Sequence, residues 1–433
     1  MTLMDVVKAT WPFGIVSDAL RVLVNTEPAI SISTSEKVGI ECVDSAVLKY
    51  YPNLLGSVHA CLAVFAAMAL KGRTKPLSLI FETASGYGKT ATLQMVFPMA
   101  DSGLDQYVYR SDKFTPKAFV SHAASVKEAE LSKIDLLPKL ENKVLVTKEL
   151  APILRGREEE LKENFSTLIS VLDGKGFTSD TGMRGQRGYD RPLLFNWVGA
   201  TTPLPASTHR LMAQLGTRLL FFEVPAVEPT EDELVAYAQS DTAGEAEIEC
   251  QKVVNRFLGD FFKQHPIGSM EPKELPIPQD RLRTLVRWAK FVTRGRAEVK
   301  FEKDGNWDNA KPVAVAKPEG PWKVITYFQD LARGNALIHG RAEVSDADID
   351  FIAEVAVSSL PGHLRPIVRE LHHSGTADAT TCAKLCEVSP PTARKYFQEI
   401  AILGIAELSK GSPESNEPDQ LRLAPEYRWI HKP

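Results

Sequence analysis

The feature that most constrains this chain is a short apolar run followed by a glycine-containing loop and a helical segment. Residues 77–82 read LSLIFE, which predicts a buried strand. The loop ETASGYGKTA (82–91) comes next, and TATLQMVF (90–97) has the composition of a helix. A phosphate-binding loop requires this succession of strand, loop and helix. The sequence therefore predicts an α/β fold built around a P-loop.

In a loop of this kind, successive backbone N–H groups surround the phosphates of a nucleotide. Lys89 is predicted to contact the β- and γ-phosphates of ATP, and the Thr90 hydroxyl to bind Mg²⁺. The predicted nucleotide-binding residues of the loop are Ser85, Gly86, Tyr87, Gly88, Lys89, Thr90 and Ala91.

One position departs from the standard pattern, because Thr83 stands where the first glycine is expected. A β-branched residue is acceptable there only if the backbone does not need a positive φ. The alternative is that Gly-Lys-Thr occurs here by chance.

A second apolar strand ends in a carboxylate. KVLVTKEL (143–150) places Glu149 sixty positions after Lys89. Such sites need a carboxylate to activate water or to hold Mg²⁺, so Glu149 is predicted to be the catalytic base and a metal ligand. Lys148 occupies the position where an aspartate is usual, and it would repel Mg²⁺ if it pointed inward. The alternative is a surface Lys-Glu pair at the end of a strand.

Further strands are predicted at QYVYR (106–110), LLFNWVGATT (193–202) and RLLFFEV (218–224). Helical patterns separate most of them, which predicts a parallel sheet with helices on both faces. A chain of 433 residues is long enough for two or three domains.

The predicted organisation has four parts. Residues 1–50 have no assigned role, 51–225 form the α/β core, 226–360 form a mostly helical lid, and 361–433 form a third unit. Within the helical part, KDGNWDNAKPVAVAKPEGP (303–321) is rich in proline, glycine and asparagine, which predicts an exposed loop.

Composition narrows the function classes. The net charge of −4 excludes a polycation, so any contact with nucleic acid must come from local basic patches. No apolar run reaches about 18 residues without a polar break, so no membrane span is predicted. Five scattered cysteines fit a reducing cytoplasm. Cys382 and Cys386 match no zinc-binding spacing and are expected to pack within a helix.

Taken together, these segments resemble an AAA+ ATPase module. Within that class they are similar to the helicase branch that includes the MCM and superfamily 3 replicative helicases, and to helicase-like ATPases of phages and plasmids. The resemblance covers roughly residues 50–360. It implies ATP hydrolysis with Mg²⁺, DNA as a partner, and assembly into a homo-oligomer such as a hexameric ring.

A glycine-rich, basic segment carries part of this resemblance. GFTSDTGMRGQRGYDRPLLF (176–195) is predicted to form a β-hairpin that carries Arg184, Arg187 and Arg191. In the helicase branch a hairpin at this place projects into a central channel and contacts DNA. Guanidinium groups suit that role because they bind phosphate oxygens in a fork and remain charged. The alternative is a solvated surface loop.

Three further segments of the resemblance imply residue roles. Thr202, with Thr201 as a second choice, matches the polar residue that orients the attacking water. Arg218 matches the arginine finger that reaches a neighbouring subunit's nucleotide, although it could instead form a salt bridge at a strand start. Lys323 or Arg333 matches the cation by which the lid contacts the γ-phosphate.

The C-terminal part reads as a helix-turn-helix. In TTCAKLCEVSPPTARKYFQEIAILG (380–404), Ser389 is predicted to cap the second helix. Residues 405–411 and 419–430 are predicted to form a wing, which makes a C-terminal winged helix. Its predicted DNA-binding residues are Thr392, Arg394 and Lys395. The alternative is a winged helix that binds only protein.

Three functional readings stay open at this point. The first is an ATP-driven, ring-forming helicase or translocase in DNA replication or mobile-element maintenance. The second is a nucleotide-controlled DNA-binding switch that regulates transcription or phage defence without unwinding DNA. The third is a degenerate fold that binds nucleotide and scaffolds partners, which the substitutions Thr83, Lys148 and Lys323 would favour.

Overall fold

The computed structural model describes residues 38–100, 102–121, 128–181, 185–216, 218–239, 243–302, 311–411 and 418–431. The chain divides into two compact units. Unit 1 comprises 1–203, 218–284 and 327–352, and unit 2 comprises 204–217, 285–326 and 353–433. The four-part organisation inferred from the sequence stays a prediction.

The described strands and helices are numbered in chain order. The strands are β1 Leu77–Glu82, β2 Val108–Arg110, β3 Val144–Thr147, β4 Phe177–Thr181, β5 Gly185–Tyr189, β6 Asn196–Thr201, β7 Leu220–Glu223, β8 Val299–Glu302, β9 Lys311–Val315, β10 Thr376–Asp378, β11 Ala406–Ser409 and β12 Gln420–Leu423. The α-helices are α1 Ile40–Tyr50, α2 Leu55–Ala66, α3 Lys89–Met95, α4 Glu128–Ile134, α5 Leu136–Lys139, α6 Ala151–Leu154, α7 Glu158–Leu172, α8 Ala206–Leu215, α9 Glu231–Gln239, α10 Ala243–Gln264, α11 Gln279–Gly295, α12 Trp322–Ile338, α13 Asp346–Ser358, α14 Arg365–Ser374, α15 Ala379–Leu385 and α16 Pro390–Ile402.

Unit 1 is built on a five-stranded sheet with the strand order β2-β3-β6-β1-β7. Each neighbouring pair in this sheet is parallel. β1 and β6 are buried along their whole length, as strands are when helices cover a parallel sheet. The predicted α/β fold with a central parallel sheet is therefore confirmed, and β1 has the predicted bounds.

A buried amide fixes the starting edge of this sheet. Asn196 accepts a hydrogen bond from the Leu77 backbone N–H at 3.2 Å and another from Arg73. Its amide nitrogen donates to the Val64 carbonyl at 2.6 Å. These bonds join β6, β1 and α2, so the amino ends of the central strands are held to the helix that precedes them.

A long apolar stretch that precedes β1 is a core element of unit 1. The segment Pro52–Ala69 is apolar and long enough to cross a membrane, but 89% of it is buried inside the structure. Gly334 of α12 lies against it, and a Cβ atom there would come within 2.2 Å of the Ala63 carbonyl oxygen. This close approach requires glycine at position 334.

The predicted hairpin is present as β4 and β5, which pair antiparallel between α7 and β6. The base of the hairpin is hydrogen-bonded to another segment of the same chain. The Tyr189 hydroxyl donates to Asp135 at 2.8 Å, and Asp135 also accepts from the Ser121 N–H at 2.7 Å. Residues 190–195 connect the hairpin to the start of β6, so the hairpin precedes the amino edge of the sheet.

Unit 2 contains a second antiparallel hairpin, formed by β8 and β9. The prediction of an exposed loop over 303–321 is therefore wrong for residues 311–315. The segment KPVAV pairs with β8, and a register shift between Lys300 and Phe301 accommodates Pro312, which lies opposite Phe301. This strand of five residues was missed from the sequence because prolines and glycines surround it.

The C-terminal part of unit 2 follows the order α14, β10, α15, α16, β11, β12. Its three strands form an antiparallel sheet with the order β10-β12-β11. The Ser389 side chain accepts from the Thr392 N–H at 3.4 Å, so the predicted helix cap is confirmed. Trp288 of α11 packs edge-on against Trp429, with ring centroids 4.9 Å apart.

Candidate functional site

The loop after β1 has the backbone that phosphate binding requires. Gly86 and Gly88 have φ values of 93° and 86°, which favour glycine. The described non-glycine residues with positive φ are Asn142 and Glu387, so Thr83 has an ordinary φ. The condition under which threonine can replace the first glycine is met. Ala84, Ser85 and Gly86 are exposed, as a ligand-binding loop must be.

Lys89 is buried beneath this loop and folds back onto it. Its ammonium donates to the carbonyl oxygens of Thr83 at 3.4 Å and Ala84 at 3.2 Å. Burial lowers the pKa of Lys89, because it disfavours the charged ammonium and both hydrogen-bond partners are neutral carbonyl groups. A phosphate would give this buried cation a charged partner. Thr90, the predicted magnesium ligand, is exposed.

Glu149 lies two residues beyond the end of β3, on the carboxyl edge of the sheet. Its carboxylate acts electrostatically on Lys89 and raises the pKa of that ammonium against the larger effect of burial. One carboxylate oxygen accepts the Ala151 N–H at 2.8 Å, which holds the side chain at the start of α6. The structure therefore brings together the two residues on which the predicted ATPase site depends.

The neighbouring Lys148 turns toward β2. Its ammonium lies 5.0 Å from the centre of the Phe97 ring, which also receives the Arg110 guanidinium at 4.5 Å. Asp112 follows β2, and its pKa is lowered mainly by the hydrogen bond and charge of Arg110 and to a smaller extent by the charge of Lys148. The Lys148 ammonium therefore lies over Phe97, and the predicted repulsion of a metal ion at Glu149 does not follow from this position.

β6 lies between β1 and β3, and its carboxyl end completes this edge. Thr201 pairs with Glu82, and its carbonyl accepts the Thr83 N–H at 3.4 Å. Thr202 follows directly, so the predicted water-orienting position lies between the loop and Glu149.

Two residues of this edge were missed from the sequence. Arg155 donates to the Pro203 carbonyl just beyond β6, which places a guanidinium at the carboxyl edge. Glu82 is a buried carboxyl at the end of β1. LRGR after α6 could have pointed to Arg155, whereas Glu82 reads as an ordinary strand end.

Arg218 lies at the opposite edge of the sheet. It precedes β7 and lies 3.4 Å from both carboxylate oxygens of Asp173, and only 13% of its side chain is exposed. With about 3.3 Å per strand residue, the carboxyl edge is roughly 15–20 Å away along β1. Arg218 in this position is remote from the loop of its own chain, and its role toward a neighbour's nucleotide stays a prediction.

The two lid candidates are not in equivalent positions. Lys323 lies at the start of α12, in unit 2. Arg333 lies in unit 1, where it donates to the Leu275 carbonyl at 3.0 Å. Burial lowers the pKa of Arg333 and the nearby Asp330 opposes that shift. Both nucleotide roles stay predictions.

The predicted DNA-binding arginines of the hairpin differ in their contacts. Arg184 lies outside the described residues. Arg187 pairs with Ser179 across the hairpin, and one of its terminal guanidinium nitrogens is buried without a hydrogen-bond partner in the structure. Arg191 donates to both carboxylate oxygens of Glu141, one of them at 2.7 Å. Arg191 is therefore engaged by a carboxylate of its own chain, and the DNA-binding role of Arg187 stays a prediction.

The C-terminal candidates are also partly engaged within the chain. The Thr392 hydroxyl lies 2.9 Å from the Ser389 hydroxyl, as part of the helix cap. Arg394 is 3.4 Å from Asp419, with 57% of its side chain exposed. Lys395 lines a cavity of unit 2. Of the three, Arg394 has the exposure that a DNA contact needs.

No group of three or more histidine, cysteine, aspartate or glutamate side chains within the described residues is arranged to hold a metal ion. Mg²⁺ usually takes few protein ligands, completing its shell with water and phosphate oxygens. Thr90 and Glu149 are residue types that fit this requirement. Burial raises the pKa of the Cys382 thiol to about 12.

Comparison with known proteins adds little to this geometry. The sequence matches no protein-family model and no curated protein. Among solved structures it is similar to a full-length MCM homolog from Methanopyrus kandleri, with 13% sequence identity and a TM-score of 0.37. The match covers 80% of this chain and 61% of that one, so the chain spans under two thirds of its length. Values this low establish neither family nor function.

Proposed function

We propose that this chain is a DNA-dependent ATPase that works as a ring-forming, helicase-like or translocase-like motor in DNA replication or mobile-element maintenance. The observation that carries the proposal is that Lys89 and Glu149 follow β1 and β3, the two parallel strands that flank β6, and so lie at the same edge of the sheet. A chance Gly-Lys-Thr would have no reason to face a carboxylate that follows a second parallel strand.

The residues of the carboxyl edge have distinct roles in this proposal. Loop N–H groups around Gly86 and Gly88 bind the phosphates of ATP, and Lys89 exchanges its two carbonyl partners for β- and γ-phosphate oxygens. Glu149 accepts a proton from the attacking water, which Thr202 orients. Mg²⁺, when bound, neutralises phosphate charge, and Thr90 and Glu149 would hold it.

The ring is proposed because Arg218 is remote from its own loop. An arginine at the amino edge can stabilise the transferred phosphoryl group only in a site that another subunit provides. Its ion pair with Asp173 would then hold the side chain ready when no neighbour is bound. The site is complete only with a neighbouring copy of the chain.

DNA contact is proposed at two places. In unit 1 the β4–β5 hairpin carries Arg184 and Arg187. In unit 2 the element order from α14 to β12 supports a winged helix, with α16 as its recognition helix and Arg394 as its exposed cation. The helical lid over residues 226–360 is part of the same proposal.

A second function, a nucleotide-controlled DNA-binding switch, is favoured by the ion pair Arg191–Glu141 in the hairpin. Arginines that are already paired contribute less to a channel that grips DNA. This reading retains ATP binding at the loop but expects slow hydrolysis and duplex binding without unwinding.

The deciding experiment is an ATPase assay with no DNA, with single-stranded DNA and with duplex DNA. Wild type is compared with Lys89→Ala, with Arg184→Ala/Arg187→Ala and with Arg191→Ala as the matched hairpin control. The motor predicts stimulation by DNA that is lost in the double variant, while Arg191→Ala keeps most of it because its guanidinium is engaged by Glu141.

Sizing with and without ATP is run in parallel. Stimulation that survives the double change would remove the hairpin from the mechanism, and slow hydrolysis with tight duplex binding would favour the switch. Hydrolysis that survives Lys89→Ala contradicts both functions.

A further inference from the structure

Unit 2 contains a cavity of about 460 Å³ that none of the roles above uses. Four segments of the same unit form its wall: α8 with the residues before it, the start of β8, the turn at 361–363, and one face of α16. Cavities of this volume hold small organic ligands such as a mononucleotide.

Three basic side chains, those of Arg210, Arg296 and Lys395, outnumber the two carboxylates that line this cavity. Arg296 and His209 line it and are themselves buried, each with 7% of its surface exposed. Arg210 and Lys395 add two cations from α8 and α16. The lining carboxylates are Glu298 and Glu399, and the second is engaged by His363 at 2.8 Å.

The electrostatics around the buried pair point in the same direction. Burial lowers the pKa of His209 well below its usual value, and the charges of Arg365, Arg296 and His363 lower it further. Burial also lowers the pKa of Arg296 to about 10, with Glu319 opposing and Arg365 reinforcing that shift. A bound anion would stabilise the charged form of Arg296 against burial, as Glu319 already does.

The rest of the wall is apolar or aromatic. Phe301, Val299, Leu204 and Pro361 line it together with the Tyr396 ring, which lies 4.7 Å from the His363 ring. A ligand that fits both parts of the wall carries a compact anionic group at one end and a flat apolar group at the other.

We propose that this cavity binds a small phosphomonoester that carries a planar ring, of the class represented by nucleoside monophosphates. The phosphate lies against Arg296, Arg210 and Lys395, and the ring lies against Tyr396. A phosphomonoester carries close to two negative charges, which suits several converging cations better than a single carboxylate does. Guanidinium groups match its oxygens in a fork.

The site is separate from the nucleotide loop, because its lining residues belong to unit 2 and the loop belongs to unit 1. It also gives Lys395 a partner other than DNA. The proposal does not depend on ATP hydrolysis, and a chain without ATPase activity could still carry this site.

The test is isothermal titration of the full chain carrying Lys89→Ala, which weakens phosphate binding at the loop. The probes are AMP, GMP, CMP and UMP, with adenosine and inorganic phosphate as partial ligands. We expect at least one monophosphate to bind saturably below about 1 mM, and its nucleoside or phosphate alone to bind at least about tenfold more weakly.

Two rim variants, Arg210→Ala and Lys395→Ala, are expected to weaken that binding by about tenfold each, as loss of a charge-assisted hydrogen bond does. Arg422→Ala is the matched control, since Arg422 is an exposed cation of unit 2 outside the cavity. Arg296→Met is added with circular dichroism as a check on folding.

The proposal is overturned if no monophosphate binds at about 1 mM, or if binding is unchanged in both rim variants. Equal weakening by Arg422→Ala would likewise show only a general charge effect.

Discussion

Lys89 and Glu149 lie at the same edge of the parallel sheet although a complete strand, β6, separates the strands that precede them. With about 4.8 Å between neighbouring strands, β3 and β1 lie about 10 Å apart. A γ-phosphate and an attacking water fit between side chains that reach toward each other over this distance. The spacing therefore suits a base that acts through water.

Glu149→Gln is expected to retain ATP binding and to lower the hydrolysis rate by about 10²- to 10⁴-fold, because the amide cannot accept the proton. Lys148→Ala is the matched control and is expected to stay within about threefold of wild type, since its ammonium lies over Phe97. Single-turnover hydrolysis and binding of a fluorescent ATP analogue measure the two effects. A larger loss in Lys148→Ala than in Glu149→Gln would reverse the assignment.

Gly88→Ala is expected to be more harmful than Gly86→Ala. Both positions have positive φ, which costs alanine about 1–2 kcal/mol. At position 88 the new Cβ would also lie 2.6 Å from the Leu54 Cδ2 atom, whereas nothing lies within 4 Å at position 86. Overpacking adds about 1–3 kcal/mol. Thermal melting should rank the variants in this order, and equal melting temperatures would count against the close contact.

Arg218→Ala is expected to remove ATPase activity without removing ATP binding, if Arg218 serves a neighbouring subunit. Asp173→Asn removes its partner in the same chain and is expected to leave most activity, because the arginine remains. The discriminating measurement mixes Arg218→Ala with Lys89→Ala. Mixed rings contain sites with an intact lysine and an intact arginine, so partial recovery of activity is expected. Absence of recovery in co-assembled rings would leave Arg218 with its structural ion pair.

His339 makes the stability of the fold depend on pH. Burial, together with the charges of the neighbouring His59 and Arg341, lowers its pKa from 6.5 to about 2. Below pH 6.5 the unfolded chain binds a proton here that the folded chain does not, so stability is lost as the pH falls, by up to about 1.4 kcal/mol per pH unit.

His339→Gln should therefore flatten the decline of the unfolding free energy between pH 6.5 and about pH 5, as measured by urea titration. His373→Gln, which replaces an exposed imidazole, controls for the loss of a histidine. An unchanged slope in His339→Gln would mean that the site admits a proton.

The parallel sheet could be predicted from the sequence because β1, β3, β6 and β7 are short apolar runs and helical patterns separate most of the predicted strands. The nucleotide loop was recognisable from local residues, and its geometry depends on two glycines. Contacts between distant segments carry no such local signal. The ion pairs Arg218–Asp173 and Arg191–Glu141 join residues 45 and 50 positions apart, so pairing could not be foreseen from either segment alone.

The strand β9 was missed for a different reason. The prolines and glycines around β9 predict a loop. Among the described strands β9 pairs with β8 alone, so the N–H and C=O groups on its other side have no strand partner. Proline is compatible with such an edge position. Pairing with β8 therefore outweighs the loop propensity of the residues in β9.

The place of β6 between the hairpin and the proposed catalytic residues has a mechanical consequence. Its amino end continues from the arginine hairpin and its carboxyl end leads into Thr202, and the strand is hydrogen-bonded on both sides by β1 and β3. A strand clamped in this way behaves as a stiff rod of about 20 Å. If DNA displaces the hairpin, β6 would move as one rigid element and would displace Thr202 at its carboxyl end. Movement along DNA and ATP hydrolysis would then be coupled through this single strand.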